Sequence, residues 1–257
     1  MSSILFEVQD QVAFITLNRP EKFNAFNREM ALRLQGVLDD CRDPSIRALH
    51  ITGNGKAFCA GQDLAEVVDP EGPGMTRILS EHYNPIVTRI RELEKPVLAA
   101  VNGVAAGAGA NLALCCDIVV ATASASFIQA FSKIGLVPDT GGSFFLPRLI
   151  GWQKASALMM LGDKIMAEEA ERMGMIYKWF PDDEFAATAG QLALQLAAMP
   201  TRALYLIKKE LQWSSTHTVY EQLQNEDKLQ QRAAETEDFR EGVAAFIEKR
   251  KPVFKGN

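Results

Sequence analysis

From Pro96 to Cys116 the chain carries no charged side chain, and this run restricts what the protein can fold into. A stretch of that length spans a bilayer when it forms one apolar helix. Here Asn102, Gly103, Gly107, Gly109 and Asn111 interrupt it, Ala and Gly dominate it, and the sequence has no second span, which argues against a membrane helix. The run VLAAVNGVAAGAGANLALCCD (Val97 to Asp117) reads instead as a buried strand, a turn at Asn102-Gly103, and a Gly/Ala-lined entry into a helix near Ala108. Small side chains leave the amides bare there. The first amides of a helix lack intrahelical acceptors and sit at its positive end, so such an entry can receive an oxygen that gains negative charge. The glycines do not form a dinucleotide fingerprint, because Leu112 stands where the third would fall, and no Gly-Lys-Ser/Thr of a phosphate loop follows. On composition alone, a tightly packed strand-helix junction without chemistry stays open.

Two further runs carry chemical signal. In FSKIGLVPDTGG (Phe131 to Gly142) one carboxylate, Asp139, lies between Pro138 and the turn-forming Gly141-Gly142, which fixes its loop. If Phe131, Ile134 and Leu136 surround it, desolvation raises its pKa towards a range useful for proton transfer. The alternative is a loop Asp capping a helix that begins near Thr140 or Gly141. In KAFCAGQDL (Lys56 to Leu64) a strand end meets Ala60-Gly61, where a backbone can approach a ligand closely, so the Gln62 N–H is a candidate second donor. A simple strand-to-loop turn is the alternative.

A chain of 257 residues can bury a large core, as one large domain or as a domain with a smaller appendage. Its formal charge of -5 leaves no basic stripe for neutralising phosphates, which argues against nucleic acid as a partner. The N-terminal MSSILFEVQDQ lacks a basic n-region and a long apolar core, so no secretion signal is read there. Cys41, Cys59, Cys115 and Cys116 lack metal-ligand spacing, and an adjacent pair within an apolar run points to packing in a reducing cytoplasm rather than to a disulfide. His50, His82 and His217 are far apart, so no metal site is expected. No Ser or Cys sits in a nucleophile elbow or a Cys-His arrangement.

In chain order, Ile4 to Val8 and Val12 to Leu17 read as a hairpin across Gln9-Asp10-Gln11, and Asn27 caps a helix from Arg28 to Cys41. A strand over Ile46 to Thr52, an acidic Gly/Pro-rich loop from Glu66 to Gly74, an amphipathic helix from Met75 to Glu92 and a strand over Ile118 to Ala121 follow. This alternation implies a largely parallel sheet with crossover helices. After Leu146-Pro147 the segments 152–161, 167–173, 184–198, 201–212, 220–235 and 238–249 read as helices, and only Ile176 to Phe180 reads as a strand.

The runs NRPEKFNAFN, KAFCAGQDL, VNGVAAGAGANLAL, FSKIGLVPDTGG and DFREGVAAFIEKRKPVF, in this order, resemble the crotonase (enoyl-CoA hydratase/isomerase) superfamily from end to end. The resemblance implies an α/β fold: a crotonase-like spiral of ββα turns over residues 1–199 that holds the CoA and acyl site, then a helical trimerisation region over 200–257. It implies an acyl-CoA thioester as substrate, with coenzyme A as part of it and no separate cofactor, and a homotrimer or dimer of trimers, with a companion enoyl-CoA hydratase as a further possible partner.

Position by position, the resemblance places the thioester oxygen between the backbone N–H groups of Gln62 and Ala108. It assigns Ala60, Asp63, Leu64, Phe131 and Asn111 to the substrate site, and Lys22, Phe246 and Lys249 to CoA contacts, the last two often from a neighbouring subunit. His82, Tyr83 and Asn84, in the EHYNP run, are further candidates for the acyl pocket. Hydratases of the superfamily use two glutamates, and the matching positions here hold Asn111 and Phe131. Neither an amide nor a phenyl ring activates water. What remains is Asp139, which can move a proton from one carbon to another. The implied activity is therefore an acyl-CoA isomerisation, either of an epoxide thioester to an oxepin or of a 3-enoyl to a 2-enoyl thioester. The alternatives are another activity of the superfamily, either enoyl-CoA hydration or aryl-CoA dehalogenation with the Asp as nucleophile, the latter weakened because that enzyme has Trp where Phe131 stands, and a catalytically silent acyl-CoA-binding subunit.

Overall fold

The computed structural model describes residues 2–257, so that Met1, the first residue of the expected core, lies outside it. Strands β1 (Ile4–Gln9) and β2 (Val12–Leu17) form the expected hairpin. Asp10 and Gln11 both adopt positive φ, 47° and 65°, the backbone that a two-residue hairpin turn requires. After a 3-10 turn at Pro20–Lys22, the Asn27 side chain accepts from the Met30 N–H at 3.0 Å and starts α1 (Arg28–Asp40), whose buried face is Met30, Ala31, Leu34, Val37 and Leu38.

A repeated unit follows in which one strand enters a large sheet and the next, very short, enters a small one. The pairs are β3 (Ala48–Gly53) with β4 (Ala57–Cys59), β5 (Val97–Val101) with β6 (Val104–Ala106), and β7 (Ile118–Thr122) with β8 (Ser126–Ile128). With β9 (Lys164–Met166) and β10 (Lys178–Phe180), the described residues form sheets ordered β1-β2-β3-β5-β7-β10 and β4-β6-β8-β9. The corners between paired strands leave no room for a side chain. A Cβ on Gly53 would sit 2.2 Å from the Ala57 carbonyl oxygen, and one on Gly103 would sit 2.2 Å from that of Lys56.

Helices fill the connections. Between β4 and β5 lie α2 (Leu64–Val68), α3 (Gly74–Arg77), a π turn at Ile78–Tyr83 and α4 (Asn84–Glu92), and after β6 comes α5 (Ala108–Leu114). A 3-10 turn at Ala130–Ile134 precedes α6 (Gly142–Ile150) and α7 (Trp152–Leu161), and α8 (Ala167–Arg172) precedes β10. The single helix expected from Met75 to Glu92 is thus interrupted by a wider turn just before Pro85. Pro85 has no N–H to give the carbonyl of Glu81 four residues back, and the Gln35 side chain supplies the missing donor at 2.6 Å. The loop expected over 66–74 also begins inside α2.

The large sheet is apolar on both sides, with alternate residues facing opposite ways. Leu49, Ile51, Val97, Ala99 and Val101 face the main core with α1 and α4. Ala48, Leu98, Ala100 and Val120 face α9 (Asp182–Ala198), which presents Phe185, Ala189, Ala193 and Ala197 at four-residue spacing. Helices α10 (Thr201–Ser214), α11 (Val219–Ala234) and α12 (Glu237–Glu248) complete the chain. The buried Lys208 ammonium ties α10 to the core through the Ile90 carbonyl at 2.7 Å and Asp117 at 2.8 Å. Arg47 donates to the carbonyl of Met199, between α9 and α10, and to that of Phe254 in the C-terminal tail, both at 2.7 Å. Among the described residues no helix is long and apolar enough to cross a membrane.

Candidate active site

The end of β4 and the start of α5 meet at a cavity of about 230 Å³ whose wall includes Gln62, Ala108, Phe131, Ile134, Leu136 and Asp139. The contact between the two elements is backbone on backbone. A Cβ on Gly109 would lie 2.2 Å from the Cys59 carbonyl oxygen, and one on Gly61, at φ +94°, would lie 3.0 Å from the Ala106 carbonyl oxygen and 3.5 Å from the Ala108 nitrogen. Both glycines are therefore required by close approach.

Two amides are left open at this junction. Phe26 and Gln62 form an isolated parallel bridge whose bonds run from the Phe26 N–H to the Gly61 carbonyl and from the Asp63 N–H to the Phe26 carbonyl. Those bonds belong to the neighbours of Gln62, so its own N–H points the other way and has no backbone acceptor among the described residues. Ala108 is the first residue of α5, so its N–H has no intrahelical acceptor. The Gln62 side chain is pinned behind the site, accepting from the Tyr83 hydroxyl at 3.0 Å and donating to Glu66 at 2.7 Å.

Asp139 lines the same cavity from a strained loop. Thr140, a non-glycine residue, has φ +52°, and Gly141 has φ +76°, which costs about 1–2 kcal/mol at the threonine. The Asp139 carbonyl accepts from the Gly142 N–H at 2.8 Å and from the Asn111 amide at 2.9 Å, while its carboxylate accepts from the Thr140 hydroxyl at 2.7 Å. Its side chain accepts from no N–H of α6, so it does not cap that helix. Burial pushes its pKa above the ordinary aspartate value, although the Thr140 hydrogen bond works the other way.

Ala60 and Leu64 line the same cavity, with Val67, Met75 and Ile78 beyond them. Asn111 does not: it is fully buried, and its amide bridges the Asp139 carbonyl and Gln129. Asp63 lies at the start of α2, where its carboxylate accepts from the Ala65 N–H at 3.2 Å and pairs with Arg19 at 2.9 Å, and Lys22 is exposed on the neighbouring 3-10 turn. Phe246 is 85 % exposed at the far end of α12, beside Lys249, and neither reaches the cavity of its own chain. Of the EHYNP residues, Tyr83 backs Gln62, His82 is buried beside Arg28, and Asn84 is exposed, so none of the three forms the wall.

Sequence reasoning did not single out Gln129, Glu66 or Thr140. Gln129 carried a weak signal as a polar residue two places before Phe131 in an otherwise apolar run. A cleft of about 610 Å³ lies elsewhere, around Arg47, Lys95 and Lys255, and contains none of the expected residues.

An α/β fold built of repeated two-strand turns, with two open backbone amides beside a cavity whose wall carries a half-buried carboxylate, defines a class, and comparison with known proteins agrees with it. Residues 7–257 match the enoyl-CoA hydratase/isomerase family, to which this chain belongs. It is 49% identical over 262 residues to the 1,2-epoxyphenylacetyl-CoA isomerase of Escherichia coli (strain K12), covering 100% of this chain and 99% of that one. It is 44% identical to a probable enoyl-CoA hydratase of Rhodobacter capsulatus, covering 99% and 98% of the two chains. Among solved structures, an enoyl-CoA hydratase/isomerase from Mycobacterium abscessus, itself described as putative, matches with a TM-score of 0.93 at 37% identity, over 99% of this chain and 100% of that one.

Proposed function

We propose that the protein is an acyl-CoA isomerase in which Gln62 and Ala108 form an oxyanion hole through their backbone N–H groups and Asp139 is the acid/base group. The observation that carries this reading is that Asp139 is the sole carboxylate among the described residues of the cavity wall. Of the two positions that hold glutamates in hydratases, Phe131 presents a ring to the cavity and Asn111 is turned away from it. A thioester oxygen held by the two amides gains charge as the adjacent carbon loses a proton, and each such donor is worth about 2.7–4 kcal/mol in comparable sites. Asp139 takes the proton from one carbon and returns it to another, so no water is consumed and no cofactor beyond the coenzyme A of the substrate is needed.

The name of the E. coli relative supports 1,2-epoxyphenylacetyl-CoA as the substrate, which this chain would open and rearrange to the oxepin thioester in phenylacetate breakdown. The same groups suit a shift of 3-enoyl-CoA to 2-enoyl-CoA. Exposed Phe239, Val243, Phe246 and Ile247 on α12 support burial against further copies, as a trimer or dimer of trimers in the cytoplasm, with Lys22, Phe246 and Lys249 contributing CoA contacts in that assembly. A companion hydratase would consume the 2-enoyl product.

The test is mass spectrometry in heavy water on a 3-enoyl-CoA, a trans-2-enoyl-CoA and the epoxide, with wild type and Asp139→Asn. Isomerisation with deuterium uptake, no added water, and loss in the Asn variant are expected. Hydration of the 2-enoyl thioester would overturn the reading and favour the hydratase activity for which the Rhodobacter relative is named.

A further inference from the structure

Asn111 and Gln129 are buried polar side chains, 0% and 4% exposed, that the proposed chemistry does not use and that do not line the cavity. Gln129 donates to the Asn111 carbonyl oxygen at 2.7 Å, and Asn111 donates to the Asp139 backbone carbonyl at 2.9 Å. The polarity of this chain of bonds is set at its far end. A backbone carbonyl only accepts, so the Asn111 NH2 must face Asp139, its oxygen must face Gln129, and Gln129 must offer its NH2. The Gln129 oxygen is then left over, and it is buried without a hydrogen-bond partner. An amide pair serving only to fill space could turn to satisfy that oxygen, whereas a pair dedicated to the Asp139 carbonyl cannot.

We propose that Gln129 and Asn111 are positioning residues that act as a relay of two side-chain amides, clamping the Asp139 loop so that its carboxylate faces the reacting carbons. The Asp139 carbonyl takes two donors, Asn111 and the Gly142 N–H, immediately before Thr140 and Gly141 enter the left-handed region at φ +52° and +76°. Those two bonds hold the loop in a backbone conformation that a threonine does not choose on its own. The space is kept for the amide: a Cβ on Gly142 would lie 2.2 Å from the Asn111 nitrogen. Turning that backbone turns the carboxylate, whose tie to the Thr140 hydroxyl moves with it.

The inference rests on Asp139 being the acid/base group, so the test separates the two claims. Asn111→Leu, Asn111→Asp (same shape, no donor once ionised, so assayed at a pH where it is charged), Gln129→Leu and the double Leu variant are assayed for melting temperature and for kcat and KM with a 3-enoyl-CoA. The Asp139 carboxyl is titrated by NMR with labelled aspartate, its signal assigned by its loss in Asp139→Asn. Both Asn111 variants are expected to lose about 100-fold in kcat with KM unchanged. Gln129→Leu should lose less, and the double variant no more than Asn111→Leu alone, because the two side chains act through one bond. In Asn111→Leu the Asp139 titration should move down as the loop relaxes and the carboxyl hydrates. A lowered melting temperature with kcat and titration unchanged, or losses that multiply in the double variant, would overturn the relay. Should Asn111→Leu not fold, Asn111→Asp and Gln129→Leu decide the matter through the KM and kcat split. If wild type does not isomerise the thioester, the isomerase reading fails and the titration alone judges the clamp.

Discussion

Gly109→Ala tests whether the spacing of the two open amides sets the activity. The added Cβ would sit 2.2 Å from the carbonyl oxygen of Cys59 and 2.7 Å from its carbonyl carbon, both belonging to the backbone of β4. No rotamer relieves that contact, so α5 and β4 must part by about 1 Å to reach ordinary van der Waals distance. Because β4 leads directly into Gln62 and α5 starts at Ala108, the parting falls on the gap between the two amides. Overpacking of this kind costs about 1–3 kcal/mol of stability, offset by up to about 1 kcal/mol because Ala favours a helix over Gly. A net loss of at most about 3 kcal/mol leaves the protein folded. The activity should suffer far more. A misplaced oxyanion donor forfeits about 2.7–4 kcal/mol of transition-state stabilisation, roughly 100- to 1,000-fold in kcat. Urea unfolding and steady-state kinetics with a 3-enoyl-CoA measure the two effects on one preparation. A folded Gly109→Ala protein with wild-type kcat would refute the argument, because the amides would then tolerate the separation it is built on.

Three further outcomes are expected. Gly36→Ala is the matching control: nothing lies within 4 Å of its added Cβ on α1, so stability should rise by up to about 1 kcal/mol with kcat unchanged, and a loss in urea unfolding would count against the packing described. Burial raises the Asp139 pKa, so its folding contribution is full below the unfolded value of about 3.9 and is lost as pH rises through the folded value. Asp139→Asn should therefore unfold at higher urea than wild type at neutral pH while being inactive, and wild-type kcat should rise with pH along a limb above the ordinary aspartate range; a less stable Asn variant at pH 7 would contradict the burial argument. Lys208→Met removes an ammonium held by the Ile90 carbonyl and Asp117, and Asp117 keeps Arg91 at 3.2 Å, so a loss of about 3 kcal/mol is expected, with a loss under 1 kcal/mol showing that α10 is anchored by packing instead.

Much of the fold was legible because its longer elements follow single physical rules. The hairpin, the Asn27 cap, α7 and the helices after Pro181 all announce themselves by periodicity, caps and breakers, and their observed bounds fall within two residues of expectation. The small sheet was not legible. β6, β8 and β9 are three residues each, too short to show alternation, and β6 is hidden in the Gly/Ala run whose small residues serve the corner at Gly103. The break at Ile78–Tyr83 needed Gln35, far away in sequence, to satisfy the carbonyl that Pro85 leaves free. The strand expected over Ile176 to Phe180 shortens to Lys178–Phe180, which pair in register with Val120 to Thr122 of β7, while Tyr177 adds one N–H bond to the Val119 carbonyl at 2.9 Å.

The site shows the same division between local and long-range information. Asp139 and the two amides stand in runs whose backbone requirements, glycines and a preceding proline, are written locally. Asn111 stands in such a run too, yet the sequence cannot say that its amide turns from the cavity towards a loop 28 residues later. That turn bears on what the pocket can do. Phe131 lies over Gly107, with a ring carbon 3.7 Å from where a Cβ would be, and so walls the cavity beside the Ala108 amide. On the reading proposed here, one ring then removes a site that could activate water and helps to desolvate the remaining carboxylate, while the displaced amide steadies the loop that carries it. Replacing Phe131 by Leu keeps the wall apolar and should preserve isomerisation, whereas Phe131→Gln admits water beside Asp139, lowers its pKa and moves the acid limb of kcat down in pH. An unmoved limb in the Gln variant, measured against the Leu variant, would mean that the desolvation of Asp139 comes from Ile134 and Leu136 rather than from the ring.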